Sequence, residues 1–283
     1  MKFTKMHGCG NDYVYFDCTK ESIADEKTAA IKLSDRHFGI GGDGIIIIKK
    51  GTKADFEMVM YNADGSRGAM CGNGIRCVAK FCYDKGLINK TEFTIESMGA
   101  VKYMKCKTGS DGKIAEVTVD MGAPILEPSK IPVKVQGEKA IKTPITVQGK
   151  EYEMTCVSMG NPHAVVFIDK SPREFPVTEI GPYFENHEVF QDRTNTEFAY
   201  VENRTEIQMR VWERGSGETW ACGTGTCATV VAAILNGMVE AGKDITVHLL
   251  GGDLTINWSG KEGDSVFMTG PATTVFEGEV ELQ

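Results

Sequence analysis

The stretch Ala69-Met-Cys-Gly-Asn-Gly-Ile-Arg-Cys77 decides how the chain is read, because it occurs twice. Its echo is Trp220-Ala-Cys-Gly-Thr-Gly-Thr-Cys227. In each copy a Cys precedes Gly-x-Gly and then a segment of helical character. At a shift of 151, Cys71 falls on Cys222, Gly72 on Gly223 and Gly74 on Gly225. Gly86, a natural helix stop, falls on Gly237 at the same shift. The Gly10-Asn11 pair recurs as Gly160-Asn161 at a shift of 150. One lobe is therefore written twice, and each copy offers a thiol at a helix N-terminus.

Working outward, Tyr13 to Phe16, Ile45 to Ile48 and Phe56 to Tyr61 read as strands. Residues 23–37 read as a helix, and a second runs from about Asn73 to Lys85. Residues 91–120 alternate as strands around the turn Ser110-Asp-Gly112. Pro124, Pro128 and Pro132 mark a change of composition and a lobe boundary. Beyond it the order repeats. Glu151 to Ser158 is a strand, Gly160-Asn-Pro-His163 a turn, and Ala164 to Ile168 a strand. Glu197 to Val201 and Glu206 to Glu213 follow as strands. The helix Thr226 to Asn236 is small and apolar throughout, so it is expected to be buried on all sides. Thr246 to Leu250 and Leu254 to Trp258 form a hairpin. The fold class expected is α+β: two pseudo-symmetric lobes, each a mainly antiparallel sheet around a central helix. Their expected bounds are 1–122 and 123–270.

Composition excludes several functions. The chain has 283 residues, 41% of them hydrophobic and 25% charged, as in ordinary globular proteins. A net charge of −8 without a basic run argues against nucleic-acid binding. No apolar run approaches membrane-spanning length, and Met1 to His7 lacks a signal-peptide core, so a cytoplasmic protein is expected. Nine cysteines without framework spacing should be mostly reduced, and the absence of CxxC argues against a structural metal. Gly39-x-Gly-x-x-Gly44 and Gly223-x-Gly-x-x-Ala228 match the dinucleotide fingerprint. The first has helix and strand in the wrong order. The second is discounted because a hairpin, rather than a parallel crossover, is expected after its helix. Open amides at a helix start can still hold a substrate carboxylate.

A helix N-terminus favours the thiolate by roughly 0.3–1 kcal/mol, up to about 2 when partly buried. That corresponds to a fall of roughly one pKa unit. Repulsion opposes ionising both thiols, so one thiolate and one thiol is the natural state. Such a pair on opposite sides of a carbon acid would invert it. The other seven cysteines read as core or surface thiols.

The sequence resembles the diaminopimelate epimerase family. The matching segments are His7-Gly-Cys-Gly-Asn-Asp12, Asp35-Arg-His-Phe-Gly-Ile-Gly-Gly-Asp-Gly44, Tyr61-Asn-Ala-Asp-Gly-Ser66 and Met70 to Cys77. In the second half they are Gly160-Asn-Pro-His163, Arg193-Thr-Asn-Thr-Glu197, Trp212-Glu-Arg-Gly215 and Ala221 to Cys227. The resemblance implies interconversion of LL- and meso-diaminopimelate, for lysine and peptidoglycan, without pyridoxal phosphate or metal. It implies Cys71 and Cys222 as the acid–base pair, with His163 and Glu213 in support. Gly72, Asn73, Gly223 and Thr224 would hold the reacting carboxylate. Asn11, Asn62, Asn161, Asn195 and Arg214 would read the rest of the substrate. The C-terminal residues 271–283, with Val275 to Leu282 as a strand, would return to the first lobe. One departure is Gly44, where many members carry Gln.

At the shift of 151, Asn62 falls on Glu213 and Asn73 on Thr224, while Cys falls on Cys. Inversion at one carbon suits a matched catalytic pair, and an asymmetric substrate needs unmatched binding residues. A proline or hydroxyproline racemase, whose relatives typically carry His at the place of Asn73, stays open. So do a thiol-pair redox or binding protein and a homodimeric assembly.

Overall fold

The computed structural model describes residues 1–68 and 70–282; Ala69, at the head of the first repeat, lies outside the described residues. The chain divides into two compact units, Met1–Val119 with Thr269–Gln283, and Asp120–Met268.

The first unit opens with β1 (Lys2–Gly8), β2 (Asn11–Asp17), α1 (Glu26–Ser34), β3 (Gly44–Lys50), β4 (Phe56–Asn62) and β5 (Arg67–Gly68). Then come α2 (Gly72–Asp84), β6 (Glu92–Ser97), β7 (Ala100–Thr108) and β8 (Ile114–Gly122). The second unit runs β9 (Thr143–Val147), β10 (Lys150–Ser158), β11 (Pro162–Phe167), α3 (Val177–Glu185), β12 (Asn195–Asn203), β13 (Glu206–Glu213) and β14 (Gly217–Thr219). It continues with α4 (Gly223–Leu235), β15 (Ile245–His248) and β16 (Asp253–Asn257). The chain re-enters the first unit within β17 (Val266–Pro271) and ends in β18 (Thr273–Glu279), which pairs antiparallel with β1.

The sheets are mixed. Hairpin neighbours such as β1–β2, β3–β4, β6–β7 and β12–β13 pair antiparallel. β2–β3 and β4–β6 are parallel across α1 and α2, and β11–β12 and β13–β15 are parallel across α3 and α4. A parallel pair needs a long crossover, and the helices supply it. One inference from sequence is therefore corrected: β15–β16 is a hairpin, but β15 also pairs parallel with β13, so a crossover does follow the second Gly-x-Gly. The repeat extends into register. Ile45 pairs with Tyr61 in the first unit and Thr196 with Trp212 in the second, each position displaced by the same 151.

Packing explains the run Ile45 to Ile48, all fully buried. Ile45 and Ile47 join a core with Ala29, Ala30 and Leu33 of α1. On the opposite face Ile46 lies under Gly74 of α2, where an added Cβ would stand 2.7 Å from its Cδ1. A strand covered on both faces needs no polar alternation. In the second unit α4 is buried continuously from Gly225 to Ala233.

Three local readings change. The helix expected over 23–37 is shorter, because Asp25 caps it and Asp35 draws the amides of His37 and Phe38 out of helical register. His163 stands in β11 rather than in a turn. The helix α3, which periodicity did not announce, contains Pro182. It packs its buried Val177 and Phe184 into the core with Met154, Val166 and Phe198.

At Gly44 an added Cβ would lie 2.0 Å from the carbonyl oxygen of Tyr61, backbone that cannot rotate away. The β3–β4 pairing therefore leaves no room for a side chain at this position. Gly44→Gln is expected to destabilise the protein by about 1–3 kcal/mol and to lower its Tm by several degrees. An unchanged Tm would show that β3 and β4 separate without cost.

Candidate active site

Each repeated Cys is the N-cap of its helix. Cys71 has φ −124° and ψ 116°, and its sulfur accepts a hydrogen bond from Gly74 N at 3.3 Å. Cys222 has φ −119° and ψ 109°, and its sulfur accepts from Gly225 N at 3.4 Å. The helices therefore begin at Gly72 and Gly223, a little earlier than periodicity suggested, because the cysteines serve the capping role usual for Ser or Asp. Helix geometry gives the amides of the first turn no intrahelical acceptor, which suits Gly72, Asn73, Gly223 and Thr224 to an anion.

Beyond the cap the two environments differ. In the first unit Cys71 Sγ lies 3.0 Å from Asn11 Oδ1, so the thiol donates to the amide carbonyl. Asn11 Nδ2 in turn donates to Asp43 Oδ2 at 2.6 Å. Asn73 is buried and accepts from the guanidinium of Arg76 at 3.0 Å. Arg76, fully buried, also donates to Gly72 O and to Pro271 O, tying the first turn of α2 to the returning C-terminal segment. Asn62 closes its own turn by donating to Ser66 Oγ at 3.0 Å.

In the second unit Cys222 is buried near Thr224 Oγ1 (3.5 Å) and the carboxyl of Glu213. Burial, then the charges of Glu213 and Glu197, push its thiol well above the ordinary range, against the pull of Thr224 and the Gly225 amide. The fall expected at a helix start is thus reversed at Cys222, because desolvation outweighs the helix end. Burial likewise raises the Glu213 carboxyl, although Thr219, His163 and Cys222 each favour its charged form. The Thr219 hydroxyl donates to Glu213 Oε1.

His163 is fully buried, with Nδ1 2.7 Å from Glu197 Oε1 and Nε2 3.0 Å from Asn161 Oδ1. A carboxylate only accepts, so Nδ1 carries the hydrogen toward Glu197. Asn195 Oδ1 accepts from the backbone N of Arg214 at 2.9 Å, and the Arg214 guanidinium donates to Asp192 O at 2.9 Å. Asn195 thereby fixes the backbone that carries both Glu213 and Arg214.

The structure adds Glu197, Thr219 and Asp43 to the residues read from sequence. Glu197 could have been found, since it lies two residues from Asn195 on one strand and so shares its face. Its place is enforced: a Cβ on Gly225 would come within 2.4 Å of Glu197 Oε1. At the equivalent place in the first unit stands Ile46, which makes the second helix start acidic and the first apolar.

All nine cysteines are thiols. Among the described residues one group has its possible ligand atoms within 4.8 Å of one another, Glu202, Glu206 and His248. Gln208, Asn203 and Asp253 hydrogen-bond its three members in turn. No helix among the described residues is long and apolar enough to cross a membrane.

A family model described as diaminopimelate epimerase matches residues 3–127 and 155–275. A diaminopimelate epimerase of Agathobacter rectalis is 55% identical over 289 residues, covering 100% of both chains. Two solved structures share the fold at low identity. One is a phenazine biosynthesis protein of the PhzF family from Bacillus anthracis, with a TM-score of 0.71 and 15% identity, covering 99% of each chain. The other is a hydroxyproline epimerase from Agrobacterium vitis, with a TM-score of 0.67 and 14% identity, covering 99% of this chain and 90% of that one. With a family model spanning most of its length and a relative more than half identical from end to end, the chain belongs to the diaminopimelate epimerase family.

Proposed function

We propose that the chain interconverts LL- and meso-diaminopimelate in the cytoplasm, with Cys71 and Cys222 as the acid–base pair. The observation that carries this reading is the matched N-cap geometry of the two thiols, each set on the first turn of its own buried helix. One sulfur takes the α-proton as a thiolate. The other, as a thiol, delivers a proton to the opposite face, and the roles exchange in the reverse direction. The amides of Gly72, Asn73, Gly223 and Thr224 hold the reacting carboxylate and stabilise the charge that develops beside it.

Glu213 supports Cys222. Its carboxyl, drawn toward the neutral form by burial, is suited to exchange a proton with a thiol that is itself hard to ionise. His163, held by Glu197, is the second proton-handling group. Asn11, Asn62, Asn161, Asn195 and Arg214 receive the distal amino-acid end of the substrate. For Asn11, Asn62 and Arg214 this requires sharing or giving up the bonds to Asp43 and Cys71, to Ser66 and to Asp192. The product enters lysine and peptidoglycan synthesis, and the assembly is left as a monomer or homodimer. Incubation with LL-diaminopimelate and with L-proline, following chirality, separates this reading from a proline racemase.

Cys71→Ala and Cys222→Ala should each abolish epimerisation in both directions, since either direction needs both sulfurs. Each should still exchange the α-proton of one stereoisomer slowly in deuterium oxide, with opposite preferences. Two mutants that wash out the same stereoisomer, or that keep inverting, would rule out the paired-thiol mechanism.

Glu213→Gln should lower kcat by about 10²-fold or more. Its effect on stability carries a definite sign with pH. A carboxyl raised on folding contributes stability below its ordinary value of 4.5, which is lost as pH rises through the folded value. A neutral amide lacks that loss. Urea denaturation should therefore show the variant gaining on the wild type between pH 4 and pH 8. A difference independent of pH would mean that Glu213 is not held toward its neutral form.

A further inference from the structure

The segment Asp35 to Gly44 resembles a glycine-rich ligand loop, yet the proposed reaction assigns no step to its side chains. The structure shows where two of them go. Asp43 backbone N donates to Asp12 O at 2.7 Å, and its own carbonyl accepts from Ala63 N at 3.0 Å. Its carboxylate is held by three donors: Asn11 Nδ2 at 2.6 Å, Asp12 N at 3.1 Å and Arg36 at 3.0 Å. Arg36 is in turn fixed on both oxygens of Asp12, at 2.8 and 3.2 Å. Asp12 is anchored by the buried Lys5 at 2.6 Å. Burial raises the Asp12 carboxyl, but Arg36 and Lys5 outweigh it and hold that group below its ordinary range.

This chain of bonds ends on a side-chain amide with two unlike faces. A carboxylate has no hydrogen to give, so only the NH₂ end of Asn11 can face Asp43. The carbonyl end must then point the other way, and there it meets Cys71 Sγ at 3.0 Å. We infer that Asp43, fixed by Arg36, is a positioning residue that holds the Asn11 carbonyl against Cys71 and so keeps this sulfur in the protonated, hydrogen-donating state.

The physical consequence is a choice between two hydrogen bonds. With the carbonyl facing the sulfur, the thiol gains a bond that the thiolate cannot make, and ionisation is disfavoured. With the amide turned over, N–H would face the sulfur and favour the thiolate. The Gly74 amide pulls toward the thiolate throughout, so Asn11 is the adjustable partner. Titratable groups around Cys71 include the Tyr13 phenol, within hydrogen-bonding reach of both Asn11 and Cys71, and Tyr15 and Cys77, which sense its charge. All three are raised by burial and neutral near pH 7, so the Tyr13 hydroxyl shares the Asn11 amide with Asp43 as an uncharged partner. The second unit lacks the device: Cys222 is met by Thr224 and Glu213 instead of an oriented carbonyl. Both sulfurs are thus biased toward the thiol, but by different neighbours, although their helix caps match.

The inference rests on Cys71 being an acid–base group of the proposed reaction, but its test reads alkylation instead of turnover, so the two can fail separately. Iodoacetamide labelling of Cys71, followed by peptide mass mapping across pH, reports the thiolate fraction. In Asp43→Asn the neighbour can donate as well as accept, and Asn11 is released to turn. The midpoint for Cys71 should fall by about one pH unit, giving about tenfold faster labelling on the acid side. Loss of the Asp43 charge alone would also lower the midpoint. The same substitution is therefore made in an Asn11→Ala background, where the shift should disappear if Asp43 acts through Asn11. Should Asp43→Asn not give a wild-type circular dichroism spectrum, Asp43→Ala, which removes the acceptor outright, must give the same fall. A midpoint that stays, that rises, or that falls equally without Asn11 overturns the inference.

Discussion

A sulfur at the N-cap of a buried helix is the contact on which this protein depends. In each unit the cap cysteine accepts from the amide three residues on, at 3.3 Å for Cys71 and 3.4 Å for Cys222. That bond requires a glycine at the third helical position for a reason that differs between units. Over Gly74 lies the side chain of Ile46, and over Gly225 lies the carboxylate of Glu197. The sulfur is held by the start of the helix, and the helix is held by burial along almost its whole length. The rest of each unit serves to cover that helix: a mixed sheet on one side, closed by parallel crossovers.

Matching caps do not make matching sites. The duplication preserved register, so equivalent positions face equivalent helix ends, and chemistry diverged at a few of them. Ile46 against Glu197, and Asn62 against Glu213, convert one helix start from apolar and amide-lined to acidic. Burial then acts on what is there. It raises both the Glu213 carboxyl and the Cys222 thiol, two groups that share one neighbourhood and compete to stay neutral. A fully buried Glu197, with one carboxylate oxygen lacking a hydrogen-bond partner, is costly for folding. The cost is understandable in a group that must hold His163 while leaving the Cys222 cap free of bulk.

Much of this was legible beforehand. The repeat, the two cap cysteines and the small apolar second helix follow from spacing alone, because a helix start, a glycine stop and a buried face each leave a local signature. Asn195 and Glu197 share a face by strand alternation, so Glu197 was also within reach of the sequence. The unannounced α3 with Pro182 and the tight backbone contact at Gly44 were not. Each depends on a neighbour distant in sequence: Trp212 packed over Gly181 of α3, and the Tyr61 carbonyl at Gly44.

The sequence by itself determined that the chain is a duplicated α+β protein with two helix-capping thiols, since covalent spacing and local propensity act without knowledge of the fold. The electrostatic state of those thiols was decided only by tertiary structure. A helix end predicts a lowered thiol at both positions, whereas burial beside Glu213 and Glu197 raises Cys222, and Asn11 offers Cys71 a carbonyl instead of an N–H. Both effects come from residues that β-strand pairing brings in from elsewhere in the chain. Desolvation and amide orientation depend on what surrounds a sulfur in space, and spacing along the chain does not encode that.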